Sequence, residues 1–254
     1  MPGAVSVGSI PNYTIIGSVP SNFSPDGLPG LAFWAAARLE SGLAGGDSVV
    51  TITDRSGEGN DLTGAAVENR PTYQTAIIGT QPVYRFDGTN DYMRRTTLTN
   101  MTNWTQSDHA IIVVIRPTSV VEEDLLSSSN SGDGNDLLMV ISTGRGHSWR
   151  GVGDANAINT TTTLLVNTNY ILMYWVSGTQ NAIYLNGTLE AGPTNLTGTA
   201  GTGTDQIFVG NRSGVYGPGW YSGEIAEVLI YTTAPTDGQM LQLSAWLNSI
   251  YGVY

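Results

Sequence analysis

The sequence predicts an all-β protein built as one antiparallel, two-sheet sandwich. Three observations predict it. Short β-branched and aromatic runs of strand length recur along the chain, separated by turn residues. Glycine is abundant, 32 of 254 residues, while charged residues make up only 12%. Helical spacing is confined to one early and one closing segment, a pattern that suits stacked sheets rather than a helical bundle.

The elements follow in chain order. Residues 1–30 carry Pro2, Pro11, Pro20, Pro25 and Pro29 among scattered Gly and Ser, and no period survives there. They read as an extended arm that docks on a partner, with Pro2, Ile10, Tyr13, Ile15, Ile16 and Phe23 as its contact residues. Residues 31–254 read as one domain. Leu31–Leu39 reads as a short helix because of its alanines. Ser48–Thr53 alternates and reads as a strand. Pro82–Phe86 and Tyr92–Arg95 read as a strand and its return around a tight turn at Asp87-Gly88-Thr89-Asn90. His109–Arg116 is a continuous apolar run and suits a buried central strand. Leu137–Ser142, Tyr170–Ser177, Ala182–Leu185, Gln206–Gly210 and Glu224–Tyr231 are further strands, and Asn186-Gly187 is a two-residue hairpin signal. Met240, Leu243, Trp246, Leu247 and Ile250 then fall at helical spacing. Thr236 and Gln239 form a capping box before them, and Gly252 ends the helix.

Composition excludes several chemistries. With Cys 0 there is no disulfide framework, thiolate metal site or cysteine nucleophile. The net charge is −11, and all ten cations are arginine. Such a body is a poor partner for nucleic acid, which needs a basic surface. No apolar stretch reaches membrane-spanning length. The first thirty residues lack a basic and apolar leader, so the expectation is synthesis in a cytoplasm without export or a membrane partner. Eight Asn-x-Ser/Thr triplets read as composition rather than glycan acceptors.

Few residues point to catalysis. His109 and His147 are the only histidines, and neither has a carboxylate or second histidine at metal-ligand spacing. Glu122 and Asp124 sit two apart but read as part of a solvated loop. Glu224 and Glu227 are three apart, which on a regular strand places them on opposite faces. The expectation is therefore no catalytic residue and no enzyme. Two other sets could bind. Asp54, Asn60, Asp61, Asp87, Asn90 and Asp91 place hard oxygens in Gly-rich turns, as calcium requires, although Asp and Asn also cap turns on their own backbone. No cofactor is required, and calcium is the one optional ion. Trp149, Tyr216, Trp220 and Tyr221 lie in or beside Gly-rich loops and could stack on a sugar or a partner protein.

One stretch resembles a known family. Thr53-Asp54-Arg55-Ser56-Gly57-Glu58-Gly59-Asn60-Asp61-Leu62 is followed by Arg70-Pro71-Thr72-Tyr73. Then comes Gly79-Thr80-Gln81-Pro82-Val83-Tyr84-Arg85-Phe86-Asp87-Gly88-Thr89-Asn90-Asp91-Tyr92. This resembles the concanavalin A-like, laminin-G-like domains of bacteria and their viruses. Ala182–Gly187, Gln206–Gly210, Gly223–Tyr231 and the closing helix resemble the family's later elements. The resemblance covers about residues 31–252 and implies a jelly roll of two antiparallel sheets. The closely spaced acidic strand motif of the family's glycanase branch is missing here.

The fold hosts unrelated functions, so the resemblance leaves three classes open. The first is a non-enzymatic bacteriophage structural protein, a capsid decoration or cement subunit docking through its arm. It would reside in the virion and contact capsid proteins or copies of itself as an oligomer. The alternative is a lectin-like carbohydrate-binding or adhesion module, calcium-dependent or not, extracellular or at a cell surface and including viral receptor binding. A glycan-active hydrolase is the least favoured.

Overall fold

The computed structural model describes residues 22–64, 66–128, 137–150, 157–196, 206–211 and 219–254, with backbone alone for 137, 138, 149 and 150. In chain order the strands begin with β1 (Leu31–Ala36), β2 (Thr51–Ile52), β3 (Leu62–Thr63), β4 (Thr72–Ile78), β5 (Gln81–Asp87) and β6 (Met93–Arg95). There follow β7 (His109–Pro117), β8 (Glu123–Ser127), β9 (Leu137–Ser142), β10 (Arg145–Arg150) and β11 (Ile158–Asn159). The last are β12 (Tyr170–Ser177), β13 (Gln180–Leu185), β14 (Thr188–Asn195), β15 (Ile207–Val209) and β16 (Ser222–Tyr231), before the helix α1 (Asp237–Tyr251). No helix is long and apolar enough to cross a membrane among the described residues.

The strands form two antiparallel sheets. The first runs β14-β13-β12-β7-β16-β5-β4, with β1 also paired to β16. The second runs β11-β10-β9-β8-β15-β6-β3-β2. One apolar core lies between the sheets and includes Phe33, Ile111, Val113, Ile115, Leu126, Leu172 and Tyr174. A second lies between the first sheet and α1, where Ile112, Val114, Met173 and Leu229 meet Met240, Leu243, Leu247 and Tyr251. This three-layer arrangement explains β7: both its faces are buried, so its sequence is a continuous apolar run rather than an alternation.

The helix begins and ends where its sequence dictates. The Thr236 side chain accepts from the Gln239 backbone N–H and the Gln239 side chain returns the bond, while Gly252 takes the left-handed conformation. The β13–β14 hairpin turns through Asn186 and Gly187, both at positive φ, the geometry that favours Asn-Gly.

Four expectations are corrected. Residues Leu31–Ala36 form a strand, followed by a single 3-10 turn at Ala37–Leu39. Pairing to β16 and burial on both faces override alanine's helical preference. Second, β5 and β6 are not a hairpin; the Asp87–Asn90 turn carries the chain from one sheet to the other. Third, Glu123 and Asp124 are buried in β8 rather than solvated, with Glu123 Oε2 accepting the Ser222 N–H at 3.3 Å. Fourth, the arm's boundary lies too late in the sequence. Phe23 packs edge-on against Trp246 of α1, Pro25 O accepts the Tyr231 hydroxyl at 3.0 Å, and Gly30 O accepts the Thr232 N–H. Residues 22–30 thus belong to the domain, and Phe23 serves its own helix. Pro2, Ile10, Tyr13, Ile15 and Ile16 lie outside the described residues.

Candidate functional site

The residues of the Asp54 turn are bound to the fold itself. Asp54 Oδ1 accepts the backbone N–H groups of Trp34 at 3.0 Å and Ser56 at 2.9 Å, and Oδ2 accepts from Asn60 N at 2.8 Å and from the Ser56 hydroxyl. Asp61 Oδ1 accepts from Asp54 N, and the Asn60 amide spans Ala32 O and both backbone groups of Thr99. This knot fastens β1 to the loop before β7. The second turn is similar: Asp87 Oδ1 accepts from Thr89 N and Asn90 N, and Asp91 Oδ2 accepts from Asp87 N at 2.9 Å. Among the described residues no group of three or more carboxylates or imidazoles is placed to hold a metal ion. The six oxygen-bearing residues fall into two separate turns, in which the side-chain oxygens of Asp54, Asn60, Asp61, Asp87 and Asp91 accept backbone N–H groups.

The aromatic set also divides. Tyr221 is fully buried against Phe86, and its hydroxyl donates to Glu224 O at 3.2 Å. A buried ring cannot stack on a ligand, so Tyr221 is withdrawn as a contact residue. Trp220 is half-buried beside Tyr92, with ring centroids 5.9 Å apart. Tyr92 also packs on Phe208 and lies beneath the Arg94 guanidinium. The Trp149 side chain and Tyr216 lie outside the described residues.

The acidic strand residues are occupied by ion pairs. Thr72, Arg85, Glu224 and Arg116 sit opposite one another across β4, β5, β16 and β7. Buried Glu224 receives Arg85 at 2.9 Å and Arg116 at 3.4 Å. A register shift between Ile225 and Glu227 makes β16 irregular there, so simple alternation does not govern the pair. Glu227 instead accepts from Trp34 Nε1 at 2.7 Å, Arg38 and the Tyr251 hydroxyl at 2.6 Å. Burial pushes its carboxyl up, and Arg38 opposes that shift. His109 is buried between Trp104 and Tyr174, a core position.

A groove of about 460 Å3 opens at the end of the first sheet, beside the crossover to the second. Its lining includes Arg70, Arg85, Asp87, Asp91, Thr118 and Ser222. Glu224 holds Arg85, and Thr118 Oγ1 meets Ser222 Oγ at 2.8 Å, so these groups are fixed before any ligand arrives. Burial and the neighbouring Asp87 charge push the Asp91 carboxyl up to about 6. The lining mixes cations, carboxylates and hydroxyls; Tyr92 directly follows Asp91 and Trp220 lies two residues before Ser222 in sequence, though neither ring lines the groove. Sequence reasoning missed the arginines. A signal was present: Arg70, Arg85, Arg94 and Arg95 are four of ten cations, gathered in one short stretch of the chain.

Comparison with known proteins places the fold. A laminin-G-like family model, described as the concanavalin A-like lectin/glucanases superfamily, matches residues 87–240. The chain belongs to this superfamily. No curated protein matches it in sequence. Among solved structures it is similar to the binding domain of Paraclostridial mosquitocidal protein 1, at 18% identity and TM-score 0.62, over 87% of this chain and 52% of that one. It is also similar to domain 4 of an extracellular arabinanase from Geobacillus stearothermophilus, solved with arabinotriose, at 15% identity and TM-score 0.59, over 85% and 98%. Trypanosoma rangeli sialidase matches at 15% identity and TM-score 0.59 over 95% of this chain, which spans 37% of that protein. At these identities the superfamily member shares the fold of all three.

Proposed function

We propose that this superfamily member is a non-catalytic glycan-binding module. The observation that carries the reading is the groove beside the crossover, where Arg70, Arg85, Asp87 and Asp91 present donors and acceptors together. Sugar hydroxyls both donate and accept, so they suit such a mixed lining, and an aromatic face takes up the apolar side of a pyranose or furanose ring. Trp220, two residues before Ser222 of the lining and packed on Tyr92, is the candidate for that face. The arabinanase domain, solved with an oligosaccharide, supports the reading. The buried strand carboxylates support binding over hydrolysis, because Glu224 and Glu227 are spent on arginines and tyrosine. The particle-decoration expectation draws no support from these neighbours, and Phe23 faces the chain's own helix.

The test is a glycan screen followed by calorimetry, with calcium and with chelator. Binding of an oligosaccharide that Trp220→Ala or Arg70→Ala weakens about tenfold, with unchanged circular dichroism, is the expected result. Binding untouched by both substitutions overturns the assignment to this groove. Release of reducing sugar overturns the non-catalytic reading. Abolition of binding by chelator would return the oxygen-rich turns to consideration.

A further inference from the structure

A second cleft of about 390 Å3 opens along β6 and is lined by Thr63, Arg94, Arg95, Thr96 and Thr97. Its charged groups are both cations, and no carboxylate lines it. This is unusual in a chain of net charge −11. Four other arginines are matched: Arg38 with Glu227, Arg55 with Glu40, Arg85 and Arg116 with Glu224. Among the described residues Arg94 and Arg95 have no acidic partner. Arg95 Nε donates only to Thr97 O at 2.7 Å, and the Arg94 guanidinium lies over the Tyr92 ring at 5.9 Å. A guanidinium laid on a ring keeps the N–H groups in its plane available for a planar anion.

Arg70 of the groove described above packs close to one end of this cleft. It lines the groove, and its stem occupies the space a side chain at position 64 would need: a Cβ on Gly64 would meet Arg70 Cγ at 2.6 Å. Gly64 directly follows Thr63 of the cleft. The Arg70 Nε is buried without a hydrogen-bond partner. A cationic nitrogen so placed carries a desolvation cost that an anion would offset.

Resting on the glycan-binding reading, we infer that the Arg94–Arg95 cleft is an anion subsite, and that the module's ligands are acidic glycans carrying a carboxylate or sulfate. The body as a whole repels anions, so attraction is confined to the cleft and its near field, within about one Debye length of ~8–10 Å. Binding should therefore weaken with salt.

The experiment is calorimetry of the full chain with three probes: oligogalacturonate, a chondroitin sulfate oligosaccharide and a neutral galacto-oligosaccharide. Variants are Arg94→Gln/Arg95→Gln and, because Arg94 also packs on Tyr92, Arg95→Gln alone. The expected result is that at least one acidic probe binds about tenfold more tightly than the neutral one, loses about tenfold in each variant and weakens with added NaCl. A better fit of the carboxylated or the sulfated probe identifies the anion. Equal binding of all three probes, unaffected by the variants, overturns the anion subsite and leaves the glycan reading standing. Binding of none overturns both.

Discussion

Asp91 shows how one side chain in the groove couples fold, charge and pH. Its carboxyl, buried beside Asp87, is raised from 3.8 to about 6. The folded protein therefore holds a proton on this group between about pH 4 and pH 6 that the unfolded chain has lost. Stability from Asp91 is greatest below about pH 4, falls as pH rises through 6, and is lowest above it. Glu123 and Glu227 are raised by burial as well and act in the same direction. Thermal melts should accordingly give a higher Tm at pH 5 than at pH 7.5, and Asp91→Asn should flatten part of that slope; an unchanged slope would remove Asp91 as its source. Removing a partner from a buried charge is costlier. Glu227→Ala leaves Arg38 unpaired and Trp34 Nε1 without its acceptor, so a loss of about 3 kcal/mol or more is expected in denaturant titrations. At this scale the sequence showed the Asp and Asn turns, because their chemistry is local. It misplaced Tyr221, because glycines on its N-terminal side suggested a loop while the burial comes from Phe86, far away in the chain.

Local signals and pairing partners divide the elements. The closing helix was legible to its caps, since Thr236, Gln239 and Gly252 act on neighbours within a turn. Thr236→Ala should therefore cost about 1 kcal/mol, seen as a drop of a few degrees in Tm, while Thr236→Ser should restore most of it. The hairpin at Asn186-Gly187 was legible for the same reason. β1 was not. Its run of small apolar residues fits a buried helix or a strand enclosed on both faces, and only the ladder to β16 distinguishes them. The acidic residues of β8 were misread because charge in sequence suggests solvent, whereas Ser222 and Gly219 supply their backbone partners from the far end of the chain. The clustering of arginines was visible in the sequence, but the carboxylate that holds Arg85 was not, because Glu224 comes from β16, far along the chain.

For the whole molecule, the layering assigns a role to residues 22–30, which pack over the helix and the end of β16. A chain beginning at Leu31 should melt several degrees below one beginning at Asn22, because it loses the Phe23–Trp246 contact and the Pro25–Tyr231 hydrogen bond; equal melting would show these contacts to be marginal. The sandwich itself was readable from strand-length runs and turn chemistry, but the order of strands within each sheet was not. That order has a consequence for synthesis. β16 joins β7 on one side to β5 and β1 on the other, yet it is the last strand made. Until it leaves the ribosome, β4–β5 and β7–β12–β13–β14 are separate ribbons with open edges, and β1 has no ladder. Sheet completion therefore belongs after translation of nearly the whole chain, and nascent chains halted before residue 222 should be protease-sensitive and chaperone-bound. Once inserted, β16 is locked on both sides, so its amides and those of β7 should be the last to exchange with solvent.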